Sequence, residues 1–359
     1  MDRTANPSTI KCVIWDLDNT LWSGILLEGD ETVLKPWVKE TIAELDRRGI
    51  LQSIASKNDF EPAWEKVVAC GLQEYFLFPQ INWGSKADSV KSIAESLGIG
   101  LDACAFVDDQ PHERAEVEFF HPTTLTIDSA EGEGILRMPC MQPRFVTPES
   151  RMRRAMYQAD IGRKASEAHH TGSKQEFLAT LGLRITIRKA TEEYLRRVEE
   201  LTIRTHQLNA TGRIYSYEEL TRLMTSPDHL LLVASLEDRF GSSGTVGLAL
   251  LEMSAGAACV KLLIASCRVI SCGVGGILLS YIMSYAKQHG LKLQAEFVKT
   301  ERNRMMYLTY KFHGFEEFET RGEVDILKHD LAEIRAFAPW VTVVDPDGGI
   351  RSASEATAS

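Results

Sequence analysis

The sequence predicts an α/β protein with two domains, an N-terminal domain built on a parallel sheet and a second α/β domain beyond residue 180. Three observations predict this fold class. An apolar strand at residues 12–15 leads directly into two aspartates. Three further apolar stretches, at residues 50–55, 76–83 and 103–107, also end in polar side chains, as expected where parallel strands carry a site at their carboxyl ends. After residue 180 the chain alternates a strand and a helix, then follows with several strands.

Composition sets the outer limits of function. The 359 residues, 44% of them hydrophobic, are enough for two ordinary domains. The net charge of −10 argues against nucleic acid as a general partner. No stretch reaches the roughly 18 apolar residues of a membrane span, and the N-terminus lacks the apolar region of a signal peptide. The seven cysteines form no CxxC pair, so we expect reduced thiols in a cytoplasmic protein.

The first strand predicts the chemistry of the N-terminal domain. Asp16 and Asp18 follow it in an Asp-x-Asp pattern. Two carboxylates at one strand end repel each other, and each costs several kcal/mol to bury without a partner. A cation is therefore expected beside them, and a divalent metal that holds a phosphate satisfies this need. The alternative is a pair of solvated acids in a turn.

The other strand ends of this domain carry a matching set of side chains. Ser56, Lys57 and Asn58 follow the second apolar stretch. Ser85-Lys86-Ala87-Asp88 follows the third and reads as a capping box that places Lys86 in the first turn of a helix. Asp108 and Asp109 follow the fourth. One such motif is weak evidence, but four in order along about 95 residues are a specific signal.

These four motifs resemble those of the haloacid dehalogenase (HAD) superfamily of phosphatases. The resemblance implies that Asp16 attacks phosphorus, that Asp18 is the general acid/base, and that Ser56 and Lys86 bind the phosphoryl oxygens. It also implies Mg²⁺, an ion that oxygen ligands suit. The implied ligands are Asp16, the backbone carbonyl of Asp18, and the pair Asp108 and Asp109, of which Asp108 aligns better.

Two further expectations concern the residues near this site and the access to it. Lys57 and Asn58 either bind substrate or only open a helix. About 40 residues separate Asp16 from Ser56, which leaves no room for a large cap domain. We therefore expect a minimal cap and a site that is open to a bulky or protein-tethered substrate.

The pattern of prolines and strands predicts the domain boundaries. Residues 1–9 and 346–359 are predicted to be disordered, and residues 10–140 form the phosphatase-like domain. Residues 141–180 form a helical linker that begins after Pro139, with Thr147-Pro148 as a helix start. Residues 181–345 form the second domain.

The second domain contains a short glycine loop at the start of a helix. Gly273-Val274-Gly275 follows a strand and precedes an apolar-striped helix, and a helix N-terminus of this kind is an anion site. With Asn303 and Tyr310 further along, the order of elements resembles the GNAT N-acyltransferase fold. That resemblance implies substrate binding by Gly273, Gly275 and Asn303. Cys272 departs from it, because a basic residue is more common there.

The whole chain from about residue 10 to 345 is similar to the FkbH-like family of HAD-superfamily glyceryltransferase/phosphatases. The strings FVDDQPHERAEV, INWGSK, IASCRV and RNRMMYLTYKFHGF carry this resemblance. It implies a protein that removes both phosphates of 1,3-bisphosphoglycerate and loads the glyceryl group as a thioester on an acyl carrier protein. Such a loaded carrier is the precursor of methoxymalonyl extender units in polyketide biosynthesis.

The resemblance leaves the acyl-accepting group open. Cys267 is the candidate thiol, and Arg268 beside it would lower the thiol pKa. A buried core cysteine and direct transfer to the carrier's phosphopantetheine thiol are the alternatives. Tyr310 is either the acid toward the carrier's thiolate or an aromatic core residue. For the whole chain, the alternatives are a HAD phosphomonoesterase with a GNAT-like ligand-binding module, and a non-catalytic carrier-docking protein.

Overall fold

A computed structural model describes residues 9–205 and 208–349, without the side chains of Arg204 and Cys267. The described residues form two compact units, one ending at Gln158 and the other beginning at Ala159. The first contains a five-stranded parallel sheet and the second an eight-stranded mixed sheet, so the predicted α/β class is confirmed. Most of both termini that were predicted to be disordered lies outside the described residues.

The first unit alternates strands and helices. Its elements in chain order are β1 (Cys12–Trp15), β2 (Trp22–Ser23), β3 (Val33–Leu34), α1 (Val38–Arg47), β4 (Leu51–Ser56), α2 (Phe60–Ala69), β5 (Gln80–Ile81), α3 (Lys86–Leu97), β6 (Cys104–Asp108), α4 (Pro111–Phe120), β7 (Leu125–Asp128), α5 (Pro148–Arg151) and α6 (Arg153–Ala168), which continues into the second unit. The sheet order is β5-β4-β1-β6-β7, and β2 and β3 form a separate hairpin.

The central position of β1 follows from its composition. All four of its residues are buried, and it pairs in parallel with β4 on one side and β6 on the other. A strand covered on both faces and both edges reads as a continuous apolar run, which is what Cys12–Trp15 shows. The backbone N–H of Asp16 still donates to the carbonyl of Val107 (2.9 Å), so the sheet pairing carries Asp16 to the carboxyl edge.

Two helices begin with side-chain N-caps at the places where the sequence predicts helix starts. The Ser85 side chain accepts hydrogen bonds from the N–H groups of Ala87 and Asp88 and caps α3, with Lys86 as its first residue. Thr147 caps α5 in the same way, with Pro148 at the first helical position. The β2–β3 hairpin and a short 3₁₀ helix at Leu26–Glu28 lie between Asp16 and α1, so no cap domain is inserted there.

The second unit is built around a larger sheet. Its elements are α7 (Lys174–Ala179), β8 (Leu183–Lys189), α8 (Glu192–Arg204), α9 (Tyr217–Thr225), β9 (His229–Asp238), β10 (Gly241–Ser254), β11 (Ala257–Ala265), α10 (Val274–Gln288), β12 (Lys292–Phe297), α11 (Arg304–Phe312), β13 (Glu316–Arg321), β14 (Val324–His329) and β15 (Val341–Val344). The sheet order is β13-β14-β12-β11-β10-β9-β8-β15.

Strands β11 and β12 are parallel neighbours joined by the crossover helix α10, and they separate part-way along. Their pairing ends at Val260 and Ala295, although β11 runs on to Ala265. The separation is filled by the segment 208–210. The carbonyl of Leu208 accepts from Ala265 N, and the N–H of Ala210 donates to Leu263 O (both 3.0 Å). This segment therefore provides hydrogen-bond partners for backbone groups of β11 that the divergence would otherwise leave unpaired.

The end of the described chain is ordered further than predicted. Asp345 accepts a hydrogen bond from the Tyr281 hydroxyl (3.0 Å), and Asp347 accepts one from the backbone N–H of Lys189 (2.6 Å). Within residues 346–349, which were predicted to be disordered, Asp347 is thus hydrogen-bonded to β8. Within the described chain, no helix combines the length and the apolar character that crossing a membrane requires.

Candidate active site

Four strand ends of the first unit bring the predicted polar residues to one edge. Asp16 follows β1, Ser56 is the last residue of β4, and Asp108 is the last residue of β6. Lys86 begins the helix after β5. Because these strands are parallel and adjacent, their carboxyl ends lie side by side. Asp16, Ser56, Lys86 and Asp108 are each 4% exposed or less.

Lys86 links the two buried aspartates. Its Nζ lies 2.9 Å from Asp16 Oδ1 and 2.5 Å from Asp108 Oδ2. Burial alone lowers the pKa of Lys86, but the two carboxylates raise it by more, so the net pKa is raised and the ammonium stays charged. For Asp108, burial and the nearby Asp16 raise the pKa to about 6.

Asp18 is held by three donors. The indole N–H of Trp22 and the backbone N–H of Leu26 both donate to its Oδ1 (2.8 and 3.1 Å), and Asn58 Nδ2 donates to its Oδ2 (2.9 Å). Burial and the neighbouring Asp16 raise the pKa of Asp18. With both side-chain oxygens engaged, Asp18 is fixed in one orientation, and metal binding by its backbone carbonyl stays a prediction.

Carboxylate oxygens of Asp16, Asp108 and Asp109 lie within 4.8 Å of one another, which makes them a candidate metal site. Both oxygens of Asp108 are engaged, Oδ2 by Lys86 and Oδ1 by the N–H of Gln110 (2.8 Å). Asp109 Oδ1, in contrast, is buried and has no hydrogen-bond partner among the described residues. An orphaned buried carboxylate oxygen fits a hard cation such as Mg²⁺, so the geometry favours Asp109 over Asp108 as the ligand.

The two other predicted residues of this half, Asn58 and Lys57, have different contacts. Asn58 contacts Asp18 directly and also accepts a hydrogen bond from Asp59 N (3.0 Å), and substrate binding by Asn58 stays a prediction. Lys57 is turned toward α4, where its Nζ lies 2.6 Å from Glu113 Oε1. Substrate binding by Lys57 stays a prediction.

The sequence pattern did not single out several residues that belong to this site. The Thr20 hydroxyl donates to Asp16 Oδ2 (3.3 Å) and accepts from Asp109 N (3.2 Å), which joins the first and last motifs. Lys35, which follows β3, adds a second cation. Burial lowers the pKa of Lys35, and attraction to Asp109 and Asp128 partly offsets this. Thr20 lies only four residues after Asp16, so its closeness in the sequence could have suggested a place in the site. No feature of the sequence pointed to Lys35.

In the second unit, Asn303 is hydrogen-bonded to the protein's own backbone. Asn303 is 1% exposed, and its Nδ2 donates to the carbonyls of Asn209 (3.1 Å) and Val298 (2.8 Å). Its Oδ1 accepts from Thr300 N (3.0 Å). All of these partners are the protein's own backbone, so Asn303 holds the segment that fills the gap between β11 and β12. Substrate binding by Asn303 stays a prediction.

Tyr310 lies in the core of the second unit. It is fully buried between Phe297 and Phe315, with edge-to-face rings, and its hydroxyl has no partner within the described part of the chain. Burial raises its pKa well above the usual range. A phenol with no access to a ligand does not serve as an acid, so the structure favours the alternative of an aromatic core residue.

The predicted thiol and glycine loop lie at the end of β11. Cys267 begins a 3₁₀ helix that ends at Cys272, but its side chain lies outside the described residues. Arg268 donates to the carbonyl of Ser243 (3.3 Å). Gly273 adopts the left-handed conformation (φ 69°) that the start of α10 requires there, and it lines a pocket of about 530 Å³ with Arg335. Gly275 is in α10, and ligand binding by the loop stays a prediction.

Comparison with known proteins gives no match to any family model, and no curated protein matches. Solved structures do match parts of the chain. One contains the N-terminal part of the protein BF1531 from Bacteroides fragilis, with a phosphatase domain complexed with Mg. It is 29% identical, with a TM-score of 0.31, over 33% of this chain and 36% of that one. The match thus spans about a third of the length of that solved chain.

Two other matches are N-acetyltransferases. The PaiA N-acetyltransferase from Thermoplasma acidophilum, in complex with coenzyme A, is 22% identical over 40% of this chain and 99% of that one, with a TM-score of 0.33. A mutant of the spermidine N-acetyltransferase SpeG from Vibrio cholerae is 19% identical over 40% of this chain and 91% of that one, with a TM-score of 0.31.

Proposed function

We propose that the first unit is a Mg²⁺-dependent phosphatase that uses Asp16 as its nucleophile. The observation that carries this proposal is the buried Lys86 placed between Asp16 and Asp108, with Asp18 fixed beside them. Such a set of charges is costly to bury for structure alone. It matches what phosphoryl transfer requires, namely a positioned nucleophile, a proton donor and cations to neutralise the phosphoryl oxygens.

The side chains account for both steps of hydrolysis. A carboxylate oxygen of Asp16 attacks phosphorus and forms an aspartyl phosphate, while the bond from phosphorus to the alcohol oxygen breaks. Asp18 gives its proton to that oxygen, and later takes a proton from the water that cleaves the aspartyl phosphate. Lys86 and Ser56 bind the transferred group. Mg²⁺, held by Asp16, Asp109 and the Asp18 carbonyl, would supply further neutralisation of charge.

We propose further that the phosphatase is coupled to acyl transfer in the second unit, as the resemblance to the FkbH-like family implies. An acyl phosphate such as 1,3-bisphosphoglycerate is already activated. A thiolate attacks its carbonyl carbon, the bond to the phosphate oxygen breaks, and phosphate leaves without another energy source. Cys267 or the carrier's own phosphopantetheine thiol would accept the glyceryl group. The remaining phosphate is a stable monoester and needs the first unit.

A second candidate is a phosphomonoesterase whose second unit only binds a ligand. The burial of Tyr310 favours it, because Tyr310 was the candidate acid toward the carrier's thiolate.

Intact-protein mass spectrometry separates the two candidates. The chain is incubated with Mg²⁺, freshly generated 1,3-bisphosphoglycerate and a phosphopantetheinylated carrier protein. A carrier heavier by one unphosphorylated glyceryl group is the expected result. Asp16→Asn should leave the phosphate on the carrier, whereas Asp88→Asn, at an exposed position of α3, should behave as the wild type.

Cys267→Ala tests the thiol, with Cys70→Ala as the matched control. Loss of an enzyme-bound glyceryl adduct in Cys267→Ala alone would support Cys267 as the carrier of the acyl group. Free phosphate with an unmodified carrier protein in the wild type would contradict acyl transfer and leave the phosphomonoesterase.

A further inference from the structure

Glu113 is a buried carboxylate that the proposed reaction does not use. It is the third residue of α4 and is 2% exposed. Its Oε1 accepts a hydrogen bond from Lys57 Nζ (2.6 Å), and the Nε2 of the largely exposed His112 lies 3.2 Å from the same oxygen. Its Oε2 is also buried and has no hydrogen-bond partner within residues 9–205 and 208–349. An unpaired buried carboxylate oxygen is costly for the fold, which indicates that Glu113 acts through its charge.

This carboxylate is charged and lies close to the candidate phosphatase site. Burial raises the pKa of Glu113, but the hydrogen bond from Lys57 and nearby positive charges, that of Lys86 among them, lower it by more, so the net pKa is lowered. The next residue, Arg114, donates to the backbone carbonyl of Asp108 (2.7 Å) and so fixes the first turn of α4 against the end of β6. Glu113 is therefore held beside the groups that surround Lys86.

Lys57 is the cation that Glu113 binds directly. It follows Ser56, the last residue of β4, which is proposed to bind the transferred phosphoryl group. The side chain of Lys57 is 36% exposed, and its ammonium is carried on a flexible four-carbon stem. Without Glu113, this ammonium could turn toward a phosphoryl group bound at Ser56. With Glu113, the two side chains form an ion pair of zero net charge.

The balance of this charge matters for release of the product. Inorganic phosphate is an anion, and the groups that bind the phosphoryl group of the substrate bind the product as well. Each further positive charge beside the site strengthens that binding. Release of product limits kcat in many enzymes, so an unbalanced lysine next to Ser56 would slow turnover.

We propose that Glu113 is a positioning residue that holds Lys57 in an ion pair, and that this pair prevents the lysine charge from acting on bound phosphate. The ligand whose affinity it sets is inorganic phosphate, the product of the first unit. This inference rests on the proposed phosphatase function and concerns how fast its product leaves.

Isothermal titration calorimetry of inorganic phosphate in the presence of Mg²⁺ tests the proposal. Glu113→Gln keeps the shape of the side chain, removes its charge and should tighten phosphate binding about tenfold. In steady-state phosphate release, this variant should lower KM and kcat together. The double variant Glu113→Gln/Lys57→Met removes both charges and should bind phosphate within about twofold of the wild type. The matched control, Glu118→Gln at an exposed position of α4, should behave as the wild type.

Three results would overturn the proposal. Unchanged phosphate affinity in Glu113→Gln would show that this carboxylate restrains no charge near the phosphate. A double variant that binds phosphate more weakly than the wild type would show that Lys57 itself binds phosphate. A double variant that keeps the tighter binding would show that Glu113 repels phosphate directly and does not act through Lys57.

Two controls keep the outcomes separate. If circular dichroism shows that Glu113→Gln is unfolded, the double variant alone decides, because it removes the pair as a whole. A wild type that releases no phosphate in the mass-spectrometry experiment would overturn the phosphatase function and this proposal with it. Normal turnover together with any of the three results above would overturn only the role of the ion pair.

Discussion

Replacement of Lys86 by methionine tests most directly whether the charge of this residue stabilises the two buried carboxylates. Lys86 is 3% exposed and is the cation between Asp16 and Asp108. Its pKa is raised, so its stabilising charge is fully present at neutral pH and would be lost only as pH rises through that raised pKa. Lys86→Met retains the length of the side chain and removes the charge.

The expected loss of stability follows from leaving two carboxylates buried without their cation. Removing one partner of a buried ion pair costs about 3–5 kcal/mol. For a unit of this size about 1 kcal/mol corresponds to ~2–4 °C in melting temperature, so a decrease of roughly 6–20 °C is expected. The phosphatase rate should fall by about 10²–10³-fold, the usual loss for a group that stabilises developing charge.

Thermal unfolding followed by circular dichroism, in the presence of a chelator, measures the first effect, and a phosphate-release assay measures the second. The matched control is Lys91→Met, which removes the same charge from an exposed position of α3 and should shift the melting temperature by no more than ~2 °C. A variant at position 86 that melts with the control would refute the reasoning, because the buried carboxylates would then not depend on Lys86.

Three further predictions follow from the described contacts. Asp109→Asn should raise the Mg²⁺ concentration for half-maximal phosphate release at least tenfold, and Asp108→Asn should mainly lower the maximal rate; the reverse pattern in a metal titration would exchange their roles. Tyr310→Phe should leave acyl transfer and melting temperature nearly unchanged, since the buried hydroxyl has no partner among the described residues; a hundredfold slower transfer would restore its role as an acid. Glu44, whose pKa is lowered to about 2 by hydrogen bonds from Arg47 and Arg48, should stabilise the protein by about 0.5 kcal/mol above its ordinary pKa of 4.5 and lose this as pH falls toward 2. Melting curves of Glu44→Gln and the wild type should therefore converge in acid, and a constant difference would contradict this.

The extent of sequence-based prediction differs between the two halves of the chain. In the first half, each candidate residue was tied to the end of a strand, and parallel strands bring their carboxyl ends together whatever the loops between them do. Asp16, Lys86 and Asp108 therefore meet, and Ser56 ends the neighbouring strand at the same edge. In the second half, Asn303 and Tyr310 were assigned from an order of elements that resembles another fold, and no strand end fixed where their side chains would lie. Asn303 precedes α11 and binds backbone carbonyls, and Tyr310 lies on the buried face of α11.

The sequence by itself determined the α/β class, the strand that carries Asp16, and the capped helix that begins with Lys86, because apolar runs and caps act over a few neighbouring residues. Only the tertiary structure decided which of Asp108 and Asp109 keeps a free oxygen, and that Asn303 binds the protein's own carbonyls. These outcomes depend on contacts between segments as much as 94 residues apart, which local patterns do not encode.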